Sequence, residues 1–114
     1  MANNNVDSRF LQEMTDIIEA HFSDSNLSVD FLTEQMGISR SSLYNKIKVL
    51  TDKTPNELIQ LMRLKKAAQL LRENKYRINE ICYMVGFNNP SYFSKCFYKQ
   101  FGMKPGEFAA QSGE

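Results

Sequence analysis

The feature that most constrains this chain is an internal repeat. Val29, Leu32, Met36, Gly37 and Ile38 match Ile78, Ile81, Val85, Gly86 and Phe87 at a constant offset of 49. After one extra residue in the second copy, Leu43, Ile47, Pro55, Glu57 and Leu58 match Phe93, Phe97, Pro105, Glu107 and Phe108 at an offset of 50. At each pair the same physical job recurs: an apolar inner position, a helix-breaking glycine, or a proline followed two residues later by glutamate. Repetition of one supersecondary unit fixes architecture in a way single positions do not.

Helical periodicity supplies the elements. Phe10, Met14, Ile17, Ile18 and His21 or Phe22 recur at helical spacing with Glu13, Asp16 and Glu19 off that face, which predicts a first helix over 7–22 with an acidic outer side. Residues 23–26 read as a loop. Ser28 is placed to cap a second helix through Met36, Gly37 to end it, and Ser39 to cap a third over 40–50. A helix, a short turn holding glycine and a second helix form a helix-turn-helix unit.

Thr54, Pro55 and Glu57 open a fourth helix with a capping box and proline at the first helical position. Leu58, Leu61, Leu64, Ala68 and Leu71 lie on one side of it. A fifth helix is expected over 78–85, and a sixth from a cap at Asn89 with Pro90 next, ending at Gly102. Lys104, Pro105 and Glu107 begin a short seventh. The expected fold is all-α: 1–53 holds a first helix and the first helix-turn-helix, 54–74 a linker helix, and 75–114 the second helix-turn-helix with the final helix. A 21-residue linker at ~1.5 Å per residue spans about 31 Å, close to the ~34 Å between successive major-groove segments of B-DNA. Since the two copies differ in their exposed residues, a double-stranded DNA site read by both would be asymmetric.

Composition agrees with helices. Three Pro and five Gly are too few for a many-turned sandwich or barrel, while eight Phe and five Tyr supply core anchors. The net charge is only +1, but it is unevenly spread. Residues 1–39 carry one basic residue against seven acidic ones, and 40–104 carry thirteen basic against four acidic. A chain charged in this way can turn a basic face to a polyanion.

Other functions find little support. There is no His-Glu-x-x-His, no phosphate-binding glycine loop and no Ser-His-Asp grouping around the single His21, so no enzyme is expected, and no metal or cofactor. Cys82 and Cys96 lack Cys-x-x-Cys spacing and read as reduced, buried small hydrophobes. Phe87, Phe93, Phe97, Phe101 and Phe108 read as core by their spacing, and Met36, Met84 and Met103 as core fillers. Residues 1–5 are polar and no apolar run approaches ~20 residues, which suggests neither a leader nor a membrane span, and a cytoplasmic location. The rival class is a helical protein–protein interaction module, which calls for an exposed apolar stripe on the third or sixth helix. RNA binding calls for exposed stacking aromatics, which look scarce in the sequence.

The stretch from Gly86 to Pro105, Gly-Phe-Asn-Asn-Pro-Ser-Tyr-Phe-Ser-Lys-Cys-Phe-Tyr-Lys-Gln-Phe-Gly-Met-Lys-Pro, closely resembles the signature of the AraC/XylS family of bacterial transcription regulators. With the first copy the resemblance covers about residues 28–108. It implies two homeodomain-like helix-turn-helix units that insert the third and sixth helices into consecutive major grooves near a promoter, with RNA polymerase as a partner. Carried over by position, the outward residues of the third helix are Arg40, Ser41, Tyr44, Asn45 and Lys48. Those of the sixth are Asn88, Asn89, Ser91, Ser94 and Lys95. Asn can read adenine, Lys can donate to guanine, and Ser or Tyr can serve base or phosphate. Lys99, Arg63 and Lys66 are placed as phosphate contacts. The chain departs from the family at Ala109, where many members carry Arg, and has small Ser41 and Ser42 on the first reading helix. The acidic first helix and the Leu43-Tyr44-Asn45-Lys46-Ile47-Lys48 wording also resemble the C-terminal output domains of hybrid two-component regulators. That likeness implies sensor, kinase and receiver modules on a longer chain; a short stand-alone activator is the alternative.

Overall fold

A computed structural model describes residues 5–24 and 26–112; the polar start at 1–4, Ser25 of the expected loop, and 113–114 lie outside the described residues. Seven helices follow one another, with no strand among the described residues: α1 (Asn5–Ala20), α2 (Val29–Met36), α3 (Arg40–Thr51), α4 (Pro55–Glu73), α5 (Ile78–Met84), α6 (Pro90–Phe101) and α7 (Pro105–Ser112). By packing they form two compact units, one of Met1–His21 with Asn26–Ile59 and the other of Phe22–Ser25 with Gln60–Glu114. The boundary falls inside α4, so the expected linker helix is shared between the units.

In the first unit α1 packs on α2 and α2 on α3. Met14, Ile18, Leu27, Val29, Leu32, Leu43, Ile47, Pro55 and Ile59 are buried there, all aliphatic or thioether. α1 stops two residues before the sequence suggests. The His21 ring Nδ1 lies 2.8 Å from the Ile17 carbonyl, the acceptor that His21's own N–H would use in a continuing helix. That N–H turns to Ile18 O at 3.1 Å instead, tightening the last turn.

The caps read from the sequence are formed. Ser28 accepts from Phe31 N at 3.2 Å and Ser39 from Ser42 N at 3.1 Å. At the head of α4, Thr54 N donates to Glu57 Oε1 at 2.9 Å while Glu57 N donates to Thr54 Oγ1 at 3.2 Å, the two halves of a capping box. Where the second copy has Lys104 in place of Thr, only the glutamate half survives, Lys104 N to Glu107 at 3.0 Å. The sequence did not point to Arg77 as the cap of α5; there too only the N–H to Glu80 bond is made, at 2.8 Å.

In the second unit α6 packs on α5 and α7. Its core joins Leu64, Ala67, Ala68, Leu70 and Leu71 of α4 to Ile81, Cys82, Val85, Phe87, Phe93 and Phe97. The rings run in series: Phe87 to Phe93 at 5.1 Å, Phe93 to Phe97 at 5.9 Å, Phe97 to Phe101 at 4.6 Å and Phe97 to Phe108 at 5.4 Å between centroids, tilted or edge-on as aromatic quadrupoles prefer. The α4 face is wider than the expected row. Ile59, Ala67 and Leu70 are buried, whereas Leu58 and Leu61 are only half-buried. The small side chains of Ala67 and Ala68 leave room for that broad contact. Met84 is a second correction: it is exposed, because the phase of α5 turns Ile81 and Cys82, with Val85 at its C-terminal cap, inward and leaves Tyr83 and Met84 on the outer side.

Candidate nucleic-acid interface

α3 and α6 are each set by the turn before them. Ahead of α3, Gly37 adopts φ +67 and donates its N–H to Thr33 O at 2.9 Å, closing α2 in the left-handed conformation that glycine takes without strain. Ser39 then caps α3. Leu43 and Ile47 point inward and are fully buried, which turns Arg40, Ser41, Asn45 and Lys48 to the surface with Tyr44 half-buried. Two of these are already engaged. Arg40 Nη1 pairs with Asp30 Oδ1 of α2, and its guanidinium lies 5.9 Å from the centroid of the Tyr44 ring. Lys48 Nζ lies 3.5 Å from Asp52 Oδ1, one turn on, where Asp52 ends the helix at φ +62. Val49, one turn after Asn45, is 82% exposed, an apolar side chain on the surface that the sequence reading did not single out.

α6 repeats the design. Asn89 caps it by accepting from Tyr92 N at 3.1 Å, Pro90 follows, and Phe93 and Phe97 are buried. Asn88, Asn89, Ser91, Lys95 and Lys99 are exposed and Ser94 is half-buried. Asn89 Oδ1 is committed to the helix end, so the side-chain NH2 of Asn89 is its remaining donor group. The same surface exposes Tyr92 and Tyr98; the Tyr92 hydroxyl reaches Gln60 Oε1 at 3.4 Å. With Tyr76 and Tyr83 also exposed, surface aromatics are more numerous than the sequence suggested. Tyr76, Tyr83 and Tyr98 gave no signal in the sequence because tyrosine's apolar ring and polar tip suit core and surface equally.

Of the three expected phosphate contacts, Lys99 is exposed and Lys66 half-buried. Arg63 is placed differently. Its Nη2 donates to the Asp24 carbonyl at 3.3 Å, its Nε is buried with no hydrogen-bond partner, and its guanidinium lies against Gly86. Burial lowers its pKa, partly offset by the charge of Asp24. The α3 row thus gathers on the first unit and the α6 row on the second, while Arg63 belongs to the packing of the second.

Two capped helices, α3 and α6, each behind a glycine turn with an apolar inner row and a polar outer one, define a tandem helix-turn-helix domain. A helix-turn-helix domain family matches residues 32–111. The chain is 43% identical over 96% of its length to Histidine kinase P4 of Formosa agariphila, and 33% identical over 77% to the HTH-type transcriptional activator RhaS of Escherichia coli. It spans 8% and 31%, respectively, of the length of those relatives. A solved AraC-type transcriptional regulator from Chromobacterium violaceum superposes with a TM-score of 0.88 at 28% identity, covering 97% of this chain and 98% of that one. The chain belongs to the AraC-type helix-turn-helix family of DNA-binding transcription regulators.

Proposed function

We propose that this domain binds double-stranded DNA sequence-specifically and regulates transcription as the output module of a longer, signal-responsive regulator. The observation that carries the reading is the duplicated outward row: Ser, Asn, Lys and Arg on α3, and again Asn at the head of α6 with Ser and Lys along it, each on a helix whose other side is anchored in a core. In this proposal Arg40, Ser41, Tyr44, Asn45 and Lys48 meet one major-groove segment and Asn88, Asn89, Ser91, Ser94 and Lys95 the next, with Lys66 and Lys99 on phosphates. α4, 19 residues and about 28 Å at ~1.5 Å per residue, is the spacer.

The relatives' names support the wider setting. One is a transcriptional activator, and the other a histidine kinase of which this chain matches a small part. Sensor, kinase or receiver modules therefore belong to the proposal, as do RNA polymerase as partner, a cytoplasmic location and the absence of any catalytic activity in this segment. No helix among the described residues is long and apolar enough to cross a membrane, and no membrane contact is assigned to it.

Selection of randomised duplexes by the purified domain, followed by titration of the enriched site at two salt concentrations, tests the proposal. Enrichment of an asymmetric site with two blocks about one helical turn apart, bound far more tightly than random DNA, supports it. No binding to any duplex overturns it. Exposed Tyr83, Met84 and Tyr98 would then favour a protein-interaction module.

A further inference from the structure

We infer that Asp30, a residue of the non-reading helix α2, is a positioning residue that sets the base preference of Arg40 and penalises binding to other DNA. The inference rests on the proposed reading of α3. Asp30 sits in the first turn of α2 and Arg40 is the first residue of α3, so the pair bridges the two helices across the glycine turn. The side chains remain 82% and 58% exposed, and an ion pair in that setting adds little to fold stability. Its consequence lies in what it does to the guanidinium.

Arg40 is restrained twice. Asp30 holds Nη1, and the Tyr44 ring, 5.9 Å away, flanks the group. A planar fork of five N–H donors fixed by one edge has its remaining donors aimed in one direction, and a two-point contact with a guanine edge rewards that fixed aim. An unrestrained arginine would instead follow any phosphate. The carboxylate acts in the opposite sense on DNA in general: an exposed anion beside a reading helix repels the phosphate backbone, and it neutralises a cation that would otherwise add to salt-dependent, sequence-blind binding. One residue therefore raises discrimination while lowering affinity for random duplex, as specificity built partly from repulsion requires.

The test uses the whole domain and the site enriched above, with wild type, Asp30→Ala, Asp30→Asn, Arg40→Ala and the Asp30→Ala/Arg40→Ala double variant compared on that site, its single-base variants and random duplex. Circular dichroism melts confirm that each variant folds. Asp30→Ala and Asp30→Asn are expected to bind random DNA about 3–10-fold more tightly, to steepen the salt slope by about one, and to lower the preferred-to-random ratio about 10-fold. The lost discrimination should be confined to one base step. In the Arg40→Ala background the same change should leave the ratio unmoved. An unchanged ratio for Asp30→Ala, or an equal change with and without Arg40, overturns the inference while leaving α3 as a reading helix. If Arg40→Ala alone alters neither affinity, Arg40 makes no contact and the inference falls with that assignment.

Discussion

The carbonyl oxygen of Phe22 lies 2.0 Å from where a Cβ on Gly86 would stand, with Arg63 Nε 2.7 Å from the same point. Gly86, at φ +99, is thus held by backbone conformation and by backbone contact. Its counterpart Gly37, at φ +67, has nothing within 4 Å of that point. The two alanine variants should therefore separate. Gly37→Ala is expected to cost about 1–2 kcal/mol, the strain of a left-handed non-glycine residue. Gly86→Ala should cost about 3 kcal/mol or more, because a main-chain segment must move as well. Urea titrations of both variants check the difference; equal losses would show that the Phe22 segment yields freely.

Arg63 gives a second expectation. If its role is to pack against Gly86 and bond to Asp24 O, Arg63→Ala should lose about 1–3 kcal/mol of stability and leave the salt slope of DNA binding as it was. Arg63→Met, which keeps the stem and removes an unpartnered buried nitrogen, should recover most of the loss. A slope reduced by about one in the well-folded Met variant would return Arg63 to the phosphate contacts.

For the reading helices, Lys95→Ala and Asn45→Ala should each weaken the preferred site by about 1–3 kcal/mol and random DNA much less. Lys66→Ala should weaken both alike and reduce the salt slope by about one. Competition titrations across salt distinguish the two behaviours, and equal losses on both DNAs for Lys95→Ala would remove it from the base-reading set.

The head of α4 should respond to acid. The bond from Thr54 N holds the Glu57 carboxyl below its ordinary value of 4.5, with smaller help from the Thr54 side chain, Lys48 and Lys53 against some desolvation. A carboxyl whose pKa is lower folded than unfolded stabilises the fold fully above the unfolded value, and that contribution fades as pH falls through the folded one. The stability gap between wild type and Glu57→Gln should accordingly be constant from neutral pH down to about 5 and close as pH falls through the lowered value of the folded carboxyl. A gap that persists at the acid end would mean that the charge of Glu57 contributes nothing to the cap.

Much of the fold was legible because glycine, proline and small polar caps mark helix ends by local chemistry. Gly37, Ser39, Pro55, Asn89 and Gly102 stand at the boundaries expected of them. What escaped depended on partners distant in sequence. The Asp24 carbonyl that receives Arg63 is 39 residues away, and nothing in the wording around Arg63 distinguishes an arginine bound for the interior from one bound for phosphate. Asp30 reads locally as a first-turn acid favourable to the helix dipole; only the folded turn brings it to Arg40. On α4, helical periodicity could show one apolar row but not the adjacent one that Ala67 and Leu70 bury, since the neighbours there come from later in the chain.

The division of side chains between the two units also decides what an optical experiment can see. The chain has no Trp, and its buried aromatic rings, Phe87, Phe93 and Phe97, all lie in the second unit, whereas the first unit's aromatic rings are at most half-buried. Near-ultraviolet ellipticity will therefore weigh the second copy more heavily, with the first reporting only through half-buried rings such as Phe31 and Tyr44. To watch the first copy one would follow the methyl resonances of Ile18, Leu32, Leu43 and Ile47.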